Sequence, residues 1–468
     1  MKKRIDLTEA PIGKSLMVLS LPIIFANILH MAYTLIDTFW VGRLGANAVA
    51  AVSMSFPILF LMLSLGMGLG IAGTIMVAQY KGKKDLKKVD HISAQMFLMM
   101  FFVSLVLSIA GYFASGPILE LMGADPSFLA DATNYLQVLF VGMIFMFMYF
   151  VFGALMRGVG DVITPMIIML ITVILNAILD PIFIMGWWGI KAYGVSGAAI
   201  VTIMTEGLAG LVGLLMLFTN RYGIRLKIKN FKPDFKLMYK MFRLGLPSSI
   251  EQSIRAIAMS LMFYLVAGFG TQVVAAYGIG TRILSFAIIP SIGIATATST
   301  LVGQNMGAGK IDRAEKVSWL SSGIGFGVLT IFGILTFFYA GNLAGFFLPG
   351  EPEVIAESVT MLKIIALTFG FMSVQQVLSG ALKGAGDTMI PMILTIITTV
   401  AILFPLAYVL SALTELGQIG IWWSYPITYI IGTIITLIWF IRGKWKTIKI
   451  TEEYKEQENL TAAFIEVE

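Results

Sequence analysis

The sequence predicts an all-α integral membrane protein, with twelve transmembrane helices in two pseudo-symmetric six-helix lobes. Three observations carry this. The composition is 58% hydrophobic and only 12% charged, with a mean hydropathy of +0.89, which leaves too few polar side chains for an ordinary soluble surface. Apolar stretches long enough to cross a roughly 30 Å hydrocarbon layer, about 20 residues each, recur six times in each half. The chain also repeats itself at an offset of about 225 residues.

In the first half the stretches cover approximately residues 15–40, 48–80, 93–115, 130–156, 162–188 and 194–218. In the second they cover 242–268, 273–306, 317–340, 354–382, 388–412 and 417–442. Runs such as MFLMMFFVSLVLSIAGYF from Met96 lack the period-two alternation that a closed barrel requires. The first stretch is too long for a signal-peptide core and has no small-residue cleavage pattern, so it reads as an uncleaved helix.

Five matches establish the repeat. LSLP ending at Pro22 answers LGLP ending at Pro247, and LGANAVAA from Leu44 answers FGTQVVAA from Phe269. VAQYKG around Gln79 answers VGQNMG around Gln304, RGVGDVITP from Arg157 answers KGAGDTMIP from Lys383, and ILDP ending at Pro181 answers ILFP ending at Pro405. In this register Asp37 faces Met262 and Asp180 faces Phe404. The scaffold was duplicated and the acids were not, an asymmetry expected of a transporter. An even helix count per repeat gives both halves one orientation, related by an axis along the membrane normal.

The positive charge sits on alternate loops. Lys2, Lys3, Arg4 and Lys14 precede the first helix, five Lys lie between 81 and 88, and eight Lys or Arg lie between 221 and 243. Lys310, Arg313 and Lys316 follow, then Arg442, Lys444, Lys446, Lys449 and Lys455, while the opposite loops hold only Arg43 and Lys191. By the positive-inside rule both termini are cytoplasmic and the protein is a multi-pass protein of the cell membrane. The distribution argues against nucleic acid as a partner. The expected organisation is a lobe at 1–218, a cytoplasmic linker at 219–241, a second lobe at 242–442 and a cytoplasmic tail at 443–468. The linker reads as a solvated connector, with contact to anionic lipid head groups as the alternative, and the tail reads as a partly disordered end.

No Cys and two His, at 30 and 91, exclude disulfide and thiol chemistry and argue against catalytic zinc. No nucleophile with a base is evident, so no enzyme and no cofactor are expected. Gly68, Gly70 and Gly73 satisfy GxGxxG, but inside an apolar helix with no preceding strand. Close helix packing, with Gly66 and Gly70 as a GxxxG pair, is the better reading.

An ionised carboxylate within a membrane helix costs roughly 2.5 to 3.5 kcal/mol on insertion scales, so each such acid is a functional candidate. Asp37 shares a helix face with His30, Tyr33 and Thr34; Asp180 follows Asn176 and Thr172 at helical spacing; Glu206 follows Thr202. Three polar stripes in one lobe suggest a hydrated cavity. Its acids can hold a proton, or with Asn176 and Thr202 they offer hard oxygens to sodium at Asp37, Asn176, Asp180 and Thr202. Other readings stay open. The lesser alternative for the Asp37 and Asp180 set is a network that fixes helix register; for Glu206 it is packing or guarding access; His30 relays protons or simply lines the cavity. Tyr135, near Asn134 and Gln137, lines the outer mouth or anchors the interface. Glu251 and Arg255, one turn apart, read as a local ion pair. Pro22 removes a backbone donor inside the first helix and permits a bend below Asp37.

At these residues the chain resembles the multidrug and toxic compound extrusion (MATE) family, especially its DinF-like prokaryotic branch. The resemblance runs from about Leu19 to Arg442 and rests on LSLPI before YTLIDTFWVGRLG, on ALMRGVGD, LNAILDPIFI and GVSGAAIVT, and in the second half on LGLPSSI, ALKGAGDT and the pair Gly303 and Gln304. It implies two six-helix lobes around a V-shaped cleft and export of organic cations in exchange for protons or sodium. By motif, Asp37, Asn176, Asp180 and Thr202 match the family's ion-coupling cluster, Tyr33 and Tyr135 its cavity tyrosines, and Pro22 its bending proline. The chain departs from relatives at Gly153, where some have asparagine, at His30, which replaces a polar amide, and at Gln375 and Gln376, where another branch has an acid.

The resulting expectation is a secondary active antiporter that exports amphipathic, often cationic small molecules by alternating access, with a cavity lined by His30, Tyr33, Thr34, Tyr135 and Glu206. The complete two-lobe plan predicts a monomer. The runner-up is a flippase for lipids or lipid-linked oligosaccharides, which would need cations in the cleft. Arg255 and Arg282 are the candidates for that role.

Overall fold

The computed structural model describes residues 5–219, 223–347 and 350–451. Lys2, Lys3, Arg4, Arg221 and Lys455 of the charge asymmetry, and tail residues 452–468, lie outside the described residues.

The described residues form helices long and apolar enough to span a bilayer. These are α1 (Ile12–Gly42), α2 (Ala46–Gly82), α3 (Leu86–Leu121), α4 (Pro126–Gly158), α5 (Ile163–Met185), α6 (Val195–Phe218), α7 (Phe235–Ala267), α8 (Thr271–Gly307), α9 (Ile311–Phe347), α12 (Met389–Ala412) and α13 (Gln418–Ile441). Between α9 and α12, α10 (Pro352–Ala366) and α11 (Phe369–Ala385) pass the same test as a pair bent by 54°. Twelve spans are reached by counting that pair as one.

The tenth span is therefore broken where the sequence suggested a continuous run. Its ladder is interrupted at Thr368, whose amide and hydroxyl both donate to the Ile365 carbonyl, each at 3.1 Å. Gly333 of α9 has no side chain to hold the Ala366 carbonyl away. A second departure lies in α12, where Ile396–Leu403 is π-helical. There the β-branched run IITTV crowds the backbone, and Thr398 donates to the Leu394 carbonyl at 2.8 Å.

Helix ends are fixed by local chemistry that repeats between the halves. Asp161 accepts the amide of Thr164 at 3.1 Å and Asp387 accepts that of Ile390 at 3.2 Å. The preceding Gly160 and Gly386 both take left-handed backbone, at φ 84° and 101°. Asp85 caps α3 through the Lys88 amide, and Asp125 caps α4 through the Ser127 amide with Pro126 in the first turn. Rings gather at helix ends as expected at a lipid–water boundary: Trp40 packs on Trp187 at 5.5 Å, Arg43 lies over Phe39 and Trp40, and Trp188 is exposed.

Contacts group the chain into two compact units, Phe25–Ser249, and Met1–Ile24 with Ile250–Glu468. In the first, α4 packs against α2, α3 and α6, and α5 against α6. Residues 230–234, between α6 and α7, are fastened to α3. Gln95 donates to the carbonyls of Asn230 and Lys232, both at 2.7 Å, and accepts from the Asp234 amide at 2.9 Å. His91 meets Asp234 at 3.1 Å. The glycine motif serves packing here: Gly66 faces the Phe147 ring, Gly73 faces Met96, and a Cβ on Gly68 would collide with the Ser249 backbone. In the second unit, α8 packs against α9, α10 and α11, and α11 against α13. Its N-terminal segment is held by Lys310, donating to the Thr8 carbonyl at 3.1 Å, and by Arg313, donating to Ala10.

Candidate functional site

Three helices of the Phe25–Ser249 unit bring the predicted polar stripes together. Leu29 and Tyr33 of α1 pack on Met169 and Val173 of α5, with Ile36 and Tyr149 at the edge. This apolar floor sets the register of α1 against α5 and places Asp37 opposite Asn176. The Asn176 amide nitrogen donates to Asp37 at 2.8 Å and to Asp180, one turn along its own helix, at 3.2 Å. Asp180 and Thr202 also lie near Asp37. Asn176 and Asp180 are completely buried and Asp37 is half-buried.

Two oxygens in this cluster have no partner, Oδ1 of Asn176 and Oδ2 of Asp180, and both are buried. A single amide group cannot neutralise two carboxylates. At about 4 Å and an effective dielectric near 20, two ionised carboxylates repel by about 4 kcal/mol. A proton held between such carboxyl groups, or a cation on their oxygens, would relieve that repulsion. Asp37, Asp180, the Asn176 carbonyl and Thr202 supply only hard oxygen donors, a set suited to sodium.

The second row is built around Tyr33. It is buried, and its hydroxyl lies 3.0 Å from the Thr205 hydroxyl. Thr205 was not among the sequence candidates. Its position between Thr202 and Glu206 offered the signal, but its own back-bond to Val201, 2.9 Å long, is the common fate of a helical threonine. Glu206 is buried with Oε2 unpartnered and is within electrostatic range of both Asp37 and Tyr33. Tyr135 of α4 is half-buried and within electrostatic range of Asp37 and Asp180. His30 and Thr34 are not drawn into the cluster: both are exposed, and Thr34 donates to the His30 carbonyl at 3.3 Å. Pro22 lies within unbroken α1, just before the Ile24–Phe25 division of the two units.

The other unit holds a separate polar cluster. Arg255 donates to Glu251 at 3.1 Å, as the spacing predicts. A second cation, Lys383 of α11, reaches the same carboxylate, 3.0 Å from Oε1 and 2.8 Å from Oε2. Lys383 escaped the sequence reading because its partner lies in a helix far away in the chain.

With the geometry in place, comparison with known proteins is informative. The MatE family profile matches residues 22–182 and 247–409, both halves of the repeat. A probable multidrug resistance protein, YoeA, from Bacillus subtilis is 28% identical over 452 residues, covering 95% of this chain and 96% of its own. A FAD transporter from Shewanella oneidensis is 26% identical, covering 92% and 94%. Among solved structures, a MOP superfamily transporter from Pyrococcus furiosus superposes with a TM-score of 0.89 at 25% identity, covering 96% of this chain and all of that one. That protein is described as having a binding pocket of reverse polarity that suggests a different function.

Proposed function

Because the chain belongs to the MatE family, we propose that it is a secondary active exporter in the cell membrane, with both termini cytoplasmic, which moves amphipathic small molecules outward in exchange for protons or sodium. The observation that carries this reading is the pair of carboxyl groups, Asp37 and Asp180, that share one Asn176 amide while a buried oxygen on each of Asn176 and Asp180 lacks a partner. Such a site is stable when it holds a proton or cation and unstable when emptied into a dry environment.

The cycle follows from that instability. With the site open to the outside, a proton or sodium ion binds at Asp37 and Asp180 and removes their repulsion, and Asn176 and Thr202 orient it. A cationic cargo neutralises the same charge and so competes with the ion. Only the occupied forms change orientation readily, which couples outward cargo movement to inward ion movement. Pro22 lacks the backbone donor that would stiffen α1 and lets the segment carrying Asp37 bend. Tyr33, Tyr135 and Glu206 border the cluster, and His30 and Thr34 lie on the open face of α1 for cargo to meet. Twenty-nine Met and 33 Phe supply adaptable apolar surface. The FAD transporter among the relatives supports a cargo range that reaches past organic cations. The two fused repeats complete the design within one chain, so the working form is a monomer.

The test is uptake of a fluorescent organic cation into inside-out proteoliposomes under an acid-inside or a sodium-inside gradient, for the wild type and Asp37→Asn. Uptake that follows one gradient and disappears in the variant identifies the antiport and its ion. Failure of several cations to accumulate under either gradient refutes the reading.

A further inference from the structure

We propose that Arg255, on α7, is the centre of an oxyanion-accepting site in the Ile250–Glu468 unit. Lys383 and Gln376 of α11 and Thr395 of α12 complete it, and it receives the phosphate or carboxylate group of an amphipathic molecule. Charge balance is the first ground. One carboxylate, Glu251, is 1% exposed and meets two cations. Lys383 lies against both of its oxygens and is itself largely buried, with 15% of its side chain exposed. Neutralising Glu251 needs only that lysine. Arg255 is then a surplus positive charge within a membrane helix, where insertion scales charge roughly 2.5 to 3.5 kcal/mol for it.

The guanidinium is also incompletely used. Its Nη2 makes the bond to Glu251 and two long contacts, each 3.4 Å, to Gln376 Oε1 and Thr395 Oγ1. No hydrogen bond from its Nη1 or Nε is formed among the described residues, and 42% of its side chain is exposed. Its free Nη1 and Nε N–H groups can each donate to an oxyanion, and displacing a long Nη2 contact completes a two-pronged edge. Gln376 and Thr395 orient it without neutralising it. Among the described residues the titratable groups around it are Glu251 and Lys383, with Tyr429 of α13 within electrostatic range. None of these supplies a second negative charge.

The backbone provides an independent observation. The π-helical segment Ile396–Leu403 starts directly after Thr395. A wide turn of this kind is rare and recurs at functional sites, because it costs regular hydrogen bonding. Here it lies beside the one unsaturated cation of the cluster.

The inference rests on the transport reading only for the fate of the ligand, and binding is measured without transport. The full chain is placed in phosphatidylcholine nanodiscs and titrated with riboflavin and with flavin mononucleotide, fluorescent probes that share one ring system and differ by a phosphate. The wild type is expected to bind the mononucleotide about tenfold more tightly. Arg255→Gln, which leaves the Lys383–Glu251 pair intact, reduces that preference to within about twofold while riboflavin affinity and thermal unfolding stay unchanged. Arg255→Lys retains part of it, and Glu251→Gln raises it several-fold by deleting the competing carboxylate. Adding phosphatidylglycerol separates the sources: competition that disappears with Arg255→Gln identifies a lipid head group, and its absence identifies a soluble ligand. Equal binding of the two flavins by the wild type, or a preference that survives in a folded Arg255→Gln protein, overturns the proposal. Either failure leaves the organic-cation uptake experiment untouched.

Discussion

The stretch of α5 that ends at Pro181 and the stretch of α12 that ends at Pro405 occupy one register of the repeat but do different things. In α5 the helix is regular and carries Asn176 and Asp180. In α12 the matching positions are Val400 and Phe404, and the backbone has widened into a π-helix. The first helices of the two repeats differ in the same way. Asp37 is answered by Met262, which is packed in an apolar cluster, whereas Arg255 answers His30, seven residues earlier. At 1.5 Å per residue the charge of the second repeat lies about 10 Å along its helix from the place the acid holds in the first. Residues that build the backbone survived duplication: the Asp161 and Asp387 caps, the left-handed Gly160 and Gly386, and the close-packed Gly68 and Gly293. Asp37, Asp180 and Arg255 have no charged counterpart in the other repeat, whereas Lys383 answers Arg157. In the proposed antiport, a shared scaffold with divergent polar chemistry would give the two halves different roles.

The most severe way to break this comparison is to remove its acidic side. Asp180→Asn and Asp37→Asn should each lower gradient-driven uptake by at least about a hundredfold, the equivalent of roughly 2.7 kcal/mol, in the proteoliposome assay. Both amides keep shape and hydrogen bonding, so detergent-extracted yield and melting temperature should change little. Loss of activity together with loss of folding would instead favour a purely structural network. The converse exchange, Met262→Asp, asks whether the second repeat can accept an acid where the first has one. Met262 is 1% exposed, among Tyr277, Trp422 and other apolar side chains. No counterpart of Asn176 stands in that register, so the variant should be destabilised by roughly 2.5 to 3.5 kcal/mol, seen as a lowered melting temperature. An unchanged melt would show that the repeats are interchangeable after all.

A smaller effect should separate the two crossing glycines. A Cβ at Gly68 meets the backbone of Ser249, which cannot yield, whereas a Cβ at Gly293 meets first the side chain of Ile24. Gly68→Ala should therefore cost about 1 to 3 kcal/mol from overpacking and Gly293→Ala less, measurable by thermal unfolding of the two variants side by side.

Much of the architecture was legible because membrane burial writes it directly into composition. A bilayer demands uniform apolar runs, and the runs at 15–40 and 48–80 lie inside α1 and α2. The polar stripes were legible for the same reason: helical spacing pairs Asn176 with Asp180 in one apolar span, the family resemblance adds Asp37, 139 residues away, and the structure groups all three. What escaped depends on partners remote in sequence. Nothing near Lys383 announces Glu251, 132 residues away, and nothing near Gln95 announces that it would hold the chain at Asn230 and Lys232. The bend at Thr368 and the π segment escaped for a different reason. They are adjustments of hydrogen-bond pattern within stretches that remain apolar, so hydropathy passes over them. His30 shares a helical face with Asp37 by spacing and is exposed, outside the hydrogen-bonded cluster.

Tyr33 offers the finest test of how the acidic side is built. Its hydroxyl and that of Thr205 are both buried and 3.0 Å apart, so Thr205→Val replaces a hydroxyl by a methyl of nearly equal volume and leaves Tyr33 without this partner. Deleting one neutral hydrogen bond costs about 1 kcal/mol, and somewhat more when the remaining group stays buried. The expected result is a small loss of thermal stability and a several-fold rise in the cargo concentration needed for half-maximal uptake, while the choice of driving ion is unchanged. Thr205 touches Tyr33 and not the carboxylates, so its effect should fall on cargo rather than on ion coupling. A change in the ion that drives uptake would place Thr205 within the coupling cluster and shift the boundary between the two functions by one turn of α6.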